Sequence, residues 1–289
     1  MPVRDVVLGA LSGVLLSIVV SRKILPHLRT YQLRSQCTHG MVYLVGAGPG
    51  DPELLTLKAR RLLASASVVV VDDFVGVDFH TLISRDCKVI YVGKRGGKTD
   101  STKQMDIGTI LVDYCRARHL VVRLKCGDPM VFGCVHSEIC ALVRANCTFE
   151  VVPGLSSALA VPAIVNIPVT HETLSANFIV ISGHKPADID FVSLVKVDTI
   201  VILMGSRTIK VICDTLMKYG KDEDTPVALI HAGATPDQLV LLGTLDDIST
   251  KTLNKKLSPA VIVIGHVAKF GNLKAYVDES DDETINTDV

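Results

Sequence analysis

A chain of 289 residues, 48% hydrophobic and 21% charged, carries enough apolar side chain for a substantial core, and its length exceeds the roughly 150 residues of a common domain. Thirty Lys and Arg balance thirty Asp and Glu, which excludes the global field that draws nucleic acid. Eight cysteines stand at 37, 87, 115, 126, 134, 140, 147 and 213 without a Cys-x-x-Cys or a zinc-type Cys/His spacing, so neither a disulfide scaffold nor a bound metal is expected.

Residues 1–40 stand apart. Val6–Val20 is uncharged and is followed by Arg22 and Lys23. As a helix it is about 22 Å long, short of the roughly 20 residues of an ordinary span. Three readings stay open: a membrane anchor over residues 6–25 with Arg22 and Lys23 snorkelling, a cleaved targeting segment, or a buried helix. The expectation is a membrane-associated or organelle-targeted chain whose body faces the reducing side.

From residue 41 the pattern changes. Val42–Gly46, Ser67–Val71, Lys88–Val92, Leu120–Leu124 and Thr148–Val152 read as strands. A helix is predicted over Glu53–Ala66, with Asp51 as N-cap and Pro52 as its first residue. Asp106–Arg118 sets Ile107, Ile110, Leu111 and Tyr114 on one helical face, and Ser137–Asn146 is also helical. Apolar strands with helical crossovers predict a mostly parallel sheet. Pro153-Gly154 then marks a hinge or turn.

A second set of strands follows at Asn177–Ser182, Thr199–Leu203, Pro226–Ile230, Gln238–Gly243 and Ala260–Gly265. Seven residues separate the third from the fourth, too few for a crossover helix, so these two pair antiparallel and the sheet is mixed. The expectation is two α/β domains, near 41–152 and 157–270, with a ligand site in the cleft between them. Residues 277–289 hold six carboxylates and no base, and read as a solvated acidic tail.

The glycine loop after the first strand invites a dinucleotide reading, with Asp72 in the place of the ribose-binding acid. The fingerprint fails where its third glycine belongs, because position 51 is Asp, and Pro49 removes an N–H that a pyrophosphate would use. From this motif alone, a tight strand–helix turn without a ligand stays open.

The motif does not stand alone. Gly46-Ala47-Gly48-Pro49-Gly50-Asp51-Pro52-Glu53-Leu54-Leu55-Thr56 is followed by Val92-Gly93-Lys94-Arg95-Gly96-Gly97-Lys98. Next come Arg123-Leu124-Lys125-Cys126-Gly127-Asp128-Pro129-Met130-Val131-Phe132-Gly133 and Val152-Pro153-Gly154-Leu155-Ser156-Ser157-Ala158. Ile167-Pro168-Val169-Thr170-His171 and Gly183-His184 complete the series. In these segments and their order, residues 41–270 closely resemble the tetrapyrrole methylases, and within them the branch that methylates uroporphyrinogen III.

The resemblance implies a two-domain α/β homodimer that binds S-adenosylmethionine between its domains. It implies transfer of two methyl groups to uroporphyrinogen III, giving precorrin-2 for sirohaem or cobalamin synthesis. Cofactor contacts are implied at Pro49, Cys126, Gly127, Asp128, Phe132, Ser156, Ser157, Met204, Gly233 and Ala260. Glycine at 127 suits close backbone approach and Met204 an adaptable apolar contact. Without the resemblance, Ser156-Ser157 reads as a helix cap and Met204 as core. Asp72 is implied as the active-site carboxylate, hydrogen-bonding pyrrole N–H groups or taking a proton. Gly48, Lys94, Arg95 and Lys98 are implied to face the carboxylates of the tetrapyrrole.

Three positions depart from the family pattern. Asp73 stands where Arg is usual, Cys126 replaces the first glycine of Gly-Gly-Asp-Pro, and Cys134-Val135-His136-Ser137 replaces Arg-Gly-Gly-Glu. The alternatives are methylation of another tetrapyrrole or related acceptor, and an inactive, membrane-tethered protein that binds S-adenosylmethionine.

Overall fold

The computed structural model describes residues 40–72, 75–92 and 104–276. The chain divides into two compact units. One holds the segment up to Gly46 with Thr56–Lys125 and Gly133–Pro153; the other holds Ala47–Leu55, Cys126–Phe132 and the chain from Gly154 onward. The last change of unit falls at the Pro153-Gly154 step, where turn residues interrupt the pattern.

In the first unit, β1 (Met41–Gly46), β2 (Val68–Val71), β3 (Lys88–Tyr91), β4 (Leu120–Lys125) and β5 (Thr148–Val152) form a sheet in the order β3-β2-β4-β1-β5. Every pairing is parallel. The valine run of β2 is buried throughout, as a strand covered on both faces requires. The helices α1 (Leu57–Ser65), α2 (Gln104–Arg116) and α3 (Val135–Arg144) supply the cover. Ile107 and Leu111 of α2 and Val135 and Leu142 of α3 pack over Val42, Leu44, Val68, Val70 and Val121. Ala59, Leu62 and Leu63 of α1 are buried against β1 and β4.

The helix expected over Glu53–Ala66 is two pieces. Asp51 accepts a hydrogen bond from the Glu53 amide at 2.8 Å, but the turn it caps ends at Leu54, and Leu55 is extended. Thr56 then accepts from the Ala59 amide at 3.1 Å and starts α1. Two good caps five residues apart compete, and the second one begins the α-helix.

In the second unit, α4 (Ser157–Ile164) precedes β6 (Phe178–Ser182), α5 (Phe191–Leu194), β7 (Thr199–Leu203) and α6 (Ile209–Lys218). Then come β8 (Pro226–His231), β9 (Leu239–Thr244), α7 (Ile248–Thr252) and β10 (Ala260–Ile264). The sheet order is β6-β7-β10-β8-β9. β6 and β7 are parallel and the remaining neighbours antiparallel, including the short-linked β8 and β9. Alternation along the strands feeds two cores. Ile200, Ile202, Leu229 and Ile262 meet α5, α6 and α7, while Val201, Ala228, Ile230 and Val263 meet Ala158 and Val161 of α4.

The membrane-associated or organelle-targeted placement expected from residues 6–25 is corrected. No helix among the described residues is long and apolar enough to cross a membrane. Residues 6–25 themselves lie outside the described residues.

Candidate functional site

Two loops, one after β1 and one after β4, are tied together by glycine backbone. Gly48 donates to the Gly127 carbonyl at 3.2 Å and Gly127 donates to the Gly48 carbonyl at 2.9 Å. Their φ angles are 71° and 64°, where a side chain is strained. A Cβ on Gly127 would stand 3.7 Å from the Ser157 nitrogen and 3.8 Å from the Ser156 Cα, so the loop lies over the start of α4 with space left for approach.

Asp128 braces the same loop. Its Oδ1 accepts from the Met130 amide at 2.8 Å and its Oδ2 from the Gly154 amide at 3.0 Å. Ser156 caps α4 by accepting from the Ala158 amide at 3.3 Å, which leaves Ser157 in the first turn. The Pro49-Gly50 step meets the turn after β8: a Cβ on Gly50 would stand 2.8 Å from Thr235 Cγ2 and 3.0 Å from the Ala234 carbonyl oxygen. In that turn, a Cβ on Gly233 would stand 2.4 Å from Val161 Cγ1 of α4. The Ala232 amide donates to the Pro259 carbonyl at 2.9 Å, next to Ala260 at the start of β10. Ala260 pairs with His231 of β8, and the next residue, Val261, pairs with Leu203, which precedes Met204. The second unit therefore gathers the implied cofactor residues from Pro49 to Ala260.

Backbone strain is concentrated in this region. Arg118, Asn146, Asn166 and Asn254 have positive φ just past helix ends, a common helix stop for Asn. Phe132, Met204, Ala232 and Ala234 also have positive φ, at 53°, 58°, 45° and 66°, and none follows a helix. Such conformations cost about 1–3 kcal/mol each and concentrate at functional sites. Phe132 is 47% exposed and Met204 50% exposed, so Met204 is not a core residue.

Asp72 lies in the first unit, just past β2. Val70 and Val71 pair with Arg123 and Leu124 of β4, and the Asp72 amide donates to the Leu124 carbonyl at 3.3 Å. The Asp72 side chain is 29% exposed. Arg123 Nη2 donates to its Oδ1 at 2.5 Å, and Lys125 Nζ stands 3.5 Å from its Oδ2. Beneath them, Glu138 Oε1 accepts from Arg123 Nε at 3.1 Å and from Lys125 Nζ at 3.0 Å. Sequence reasoning missed Arg123, Lys125 and Glu138. Two cations at alternate positions in an otherwise apolar strand were the available signal.

Gly48 belongs to the glycine pair, and Lys94, Arg95, Lys98 and Asp73 lie outside the described residues. Cys134, with φ 52°, starts α3 without a side-chain cap. His171 stacks on Phe270 with ring centroids 5.5 Å apart. Burial pushes the Cys213 thiol up to about 12. Burial, with the Cys147 thiol alongside, pushes Cys115 to about 11. Both are inert thiols rather than nucleophiles. Among the described residues no group of three or more His, Cys, Asp or Glu is placed to hold a metal ion.

Comparison with known proteins identifies the family. Residues 41–249 match the family described as Tetrapyrrole (Corrin/Porphyrin) Methylases. A uroporphyrinogen-III C-methyltransferase of Synechococcus elongatus is 44% identical over 230 residues, covering 80% of this chain and 94% of the relative. One from Methanocaldococcus jannaschii is 45% identical over 235 residues, covering 79% and 96%. The crystal structure of a Thermus thermophilus uroporphyrin-III C-methyl transferase complexed with S-adenyl homocysteine superposes with a TM-score of 0.69 at 36% identity, covering 80% of this chain and all of that one. These relatives are spanned almost end to end by about four-fifths of this chain. The chain belongs to the tetrapyrrole (corrin/porphyrin) methylases.

Proposed function

We propose that this protein transfers two methyl groups from S-adenosylmethionine to uroporphyrinogen III, forming precorrin-2 for sirohaem or cobalamin synthesis. The observation that carries the reading is the Gly48–Gly127 pair, which draws the loops bearing Pro49 and Cys126-Gly127-Asp128 onto the start of α4. The residues fit the cofactor: a glycine pair that lets backbone approach closely, small serines at 156 and 157, and half-exposed Phe132 and Met204 for an apolar adenosine.

When bound, S-adenosylmethionine supplies a methyl group activated on a sulfonium. An acceptor pyrrole carbon would receive that methyl group, leaving S-adenosylhomocysteine, and the ring would then lose a proton. The chain's own work is orientation, which supplies most of what such a reaction needs. Pro49, Cys126, Gly127, Asp128, Phe132, Ser156, Ser157, Met204, Gly233 and Ala260 hold the donor. Asp72 accepts pyrrole N–H groups, and Gly48, Lys94, Arg95 and Lys98 meet the peripheral carboxylates. We also infer a homodimer, which sedimentation equilibrium of the full chain tests.

Incubation of the full chain with S-adenosylmethionine and freshly reduced uroporphyrinogen III tests the activity. A doubly methylated product with two equivalents of S-adenosylhomocysteine is expected. Cys134-Val135-His136-Ser137, in place of Arg-Gly-Gly-Glu, favours a second reading, methylation of a different tetrapyrrole. Cofactor binding without turnover on uroporphyrinogen III, together with turnover on another tetrapyrrole, would select it.

A further inference from the structure

The charges under Asp72 are costly where they stand. Arg123 and Lys125 are 1% and 2% exposed and Glu138 is fully buried. Their neighbours in the same core, Val42, Leu44, Val68, Val70 and Val121, are all apolar. A buried ionic group is often no more stabilising than apolar residues of like volume, so packing alone does not call for these three.

Their geometry has a direction. Glu138 Oε1 takes a hydrogen bond from both cations, at 3.1 and 3.0 Å. Each cation then reaches a different oxygen of Asp72, Arg123 to Oδ1 and Lys125 to Oδ2. Arg123 Nη1 also donates to the Val70 and Leu124 carbonyls, both at 3.3 Å, which locks the guanidinium plane against β2 and β4. A carboxylate held at both oxygens by separate, fixed cations cannot turn about its terminal bond. Only the Asp72 end of the cluster reaches solvent.

We propose that Glu138, acting through Arg123 and Lys125, fixes the Asp72 carboxylate in the orientation that receives the acceptor's pyrrole N–H groups. Glu138 and Arg123 are positioning residues, and Asp72 is the group that touches substrate. The inference rests on the function proposed above and names what aims its carboxylate.

The test is a mutant cycle in the full chain, read by S-adenosylmethionine affinity, turnover, and binding of uroporphyrin III as an unreactive probe. Glu138→Gln should lower kcat and weaken the probe at least tenfold while S-adenosylmethionine affinity stays within twofold. Glu138→Asp, which keeps the charge, should recover part of the loss. In an Asp72→Asn background, Glu138→Gln should add nothing, because the effect passes through Asp72. As Glu138→Gln leaves a buried cation unbalanced, the neutral pair Glu138→Gln/Lys125→Met is measured beside it and should show the same probe defect in a folded protein.

Additive losses, or a Glu138→Gln protein that melts earlier but turns over normally, would overturn the positioning role alone. A wild-type chain that binds the probe without methylating uroporphyrinogen III would overturn the function, and the probe cycle would still decide the positioning role. A wild-type chain that neither binds the probe nor methylates uroporphyrinogen III would overturn both.

Discussion

The Asp128 carboxylate accepts the Gly154 amide at 3.0 Å with one oxygen and the Met130 amide at 2.8 Å with the other. It thereby joins the loop after β4 to Gly154, two residues past the end of β5. Asp128 was read from the family motif as a cofactor contact, and the structure occupies both its oxygens with backbone. Asp128→Asn sets an NH₂ against one of these N–H groups and loses a charge-assisted hydrogen bond, which costs about 1.5–3 kcal/mol. Urea unfolding should show that loss, and calorimetry should show weaker S-adenosylmethionine binding. Full stability with weakened binding would mean that Asp128 acts on the cofactor directly.

Gly127 tests the same loop without a steric clash. The nearest atoms to an added Cβ are at ordinary contact distance, so Gly127→Ala costs only the strain of positive φ, about 1–2 kcal/mol. The methyl group would nevertheless stand between this loop and the Ser156-Ser157 start of α4, where the proposed cofactor contacts converge. S-adenosylmethionine affinity should fall more than tenfold, well beyond the change in stability. Unchanged affinity would move the cofactor away from Gly127.

Gly233 is a different case, because an added Cβ would collide with Val161 Cγ1. Val161 is buried in the second unit's core, so it has little room to turn. Gly233→Ala should destabilise by about 1–3 kcal/mol, the usual cost of overpacking. Gly233→Ala/Val161→Ala should recover much of that loss, since the two changes share one space. Thermal melts of the three variants measure the coupling, and strict additivity would show that the strain lies elsewhere.

The sheets were readable because their signal is local. A strand buried on both faces must be apolar throughout, as in the valines of β2, and seven residues between β8 and β9 admit only an antiparallel pair. Helix α1 was harder, because Asp51 and Thr56 both cap well and only the fold lets Leu55 turn inward. The Asp72 site was half readable. Asp72 carries a family motif, whereas Arg123 depends on Glu138 fifteen residues away and on Asp72 fifty-one residues away. No window along the chain contains that arrangement. Met204 misled in the other direction: an apolar residue after an apolar strand reads as core, yet positive φ turns it outward.

Stability at alkaline pH should carry the mark of Cys213. Burial raises its thiol from 9.0 to about 12 in the folded protein, while in the unfolded chain it ionises at its ordinary value. Between those values the folded state holds a proton that the unfolded state has released. The stabilisation is therefore complete below pH 9 and is lost as pH rises toward 12, at up to about 1.4 kcal/mol per pH unit. Lys221 acts in the opposite sense. Burial lowers its ammonium, whose Nζ donates to the Val195 and Val197 carbonyls, so the unfolded state holds the extra proton and stability rises with pH up to 10.5. Cys213→Ala isolates the thiol from the lysine. Urea unfolding at pH 8 and pH 10 should show the wild-type advantage over this variant shrinking by about 1 kcal/mol across that interval. Parallel curves would mean that the Cys213 thiol ionises as readily in the folded protein as in the unfolded chain.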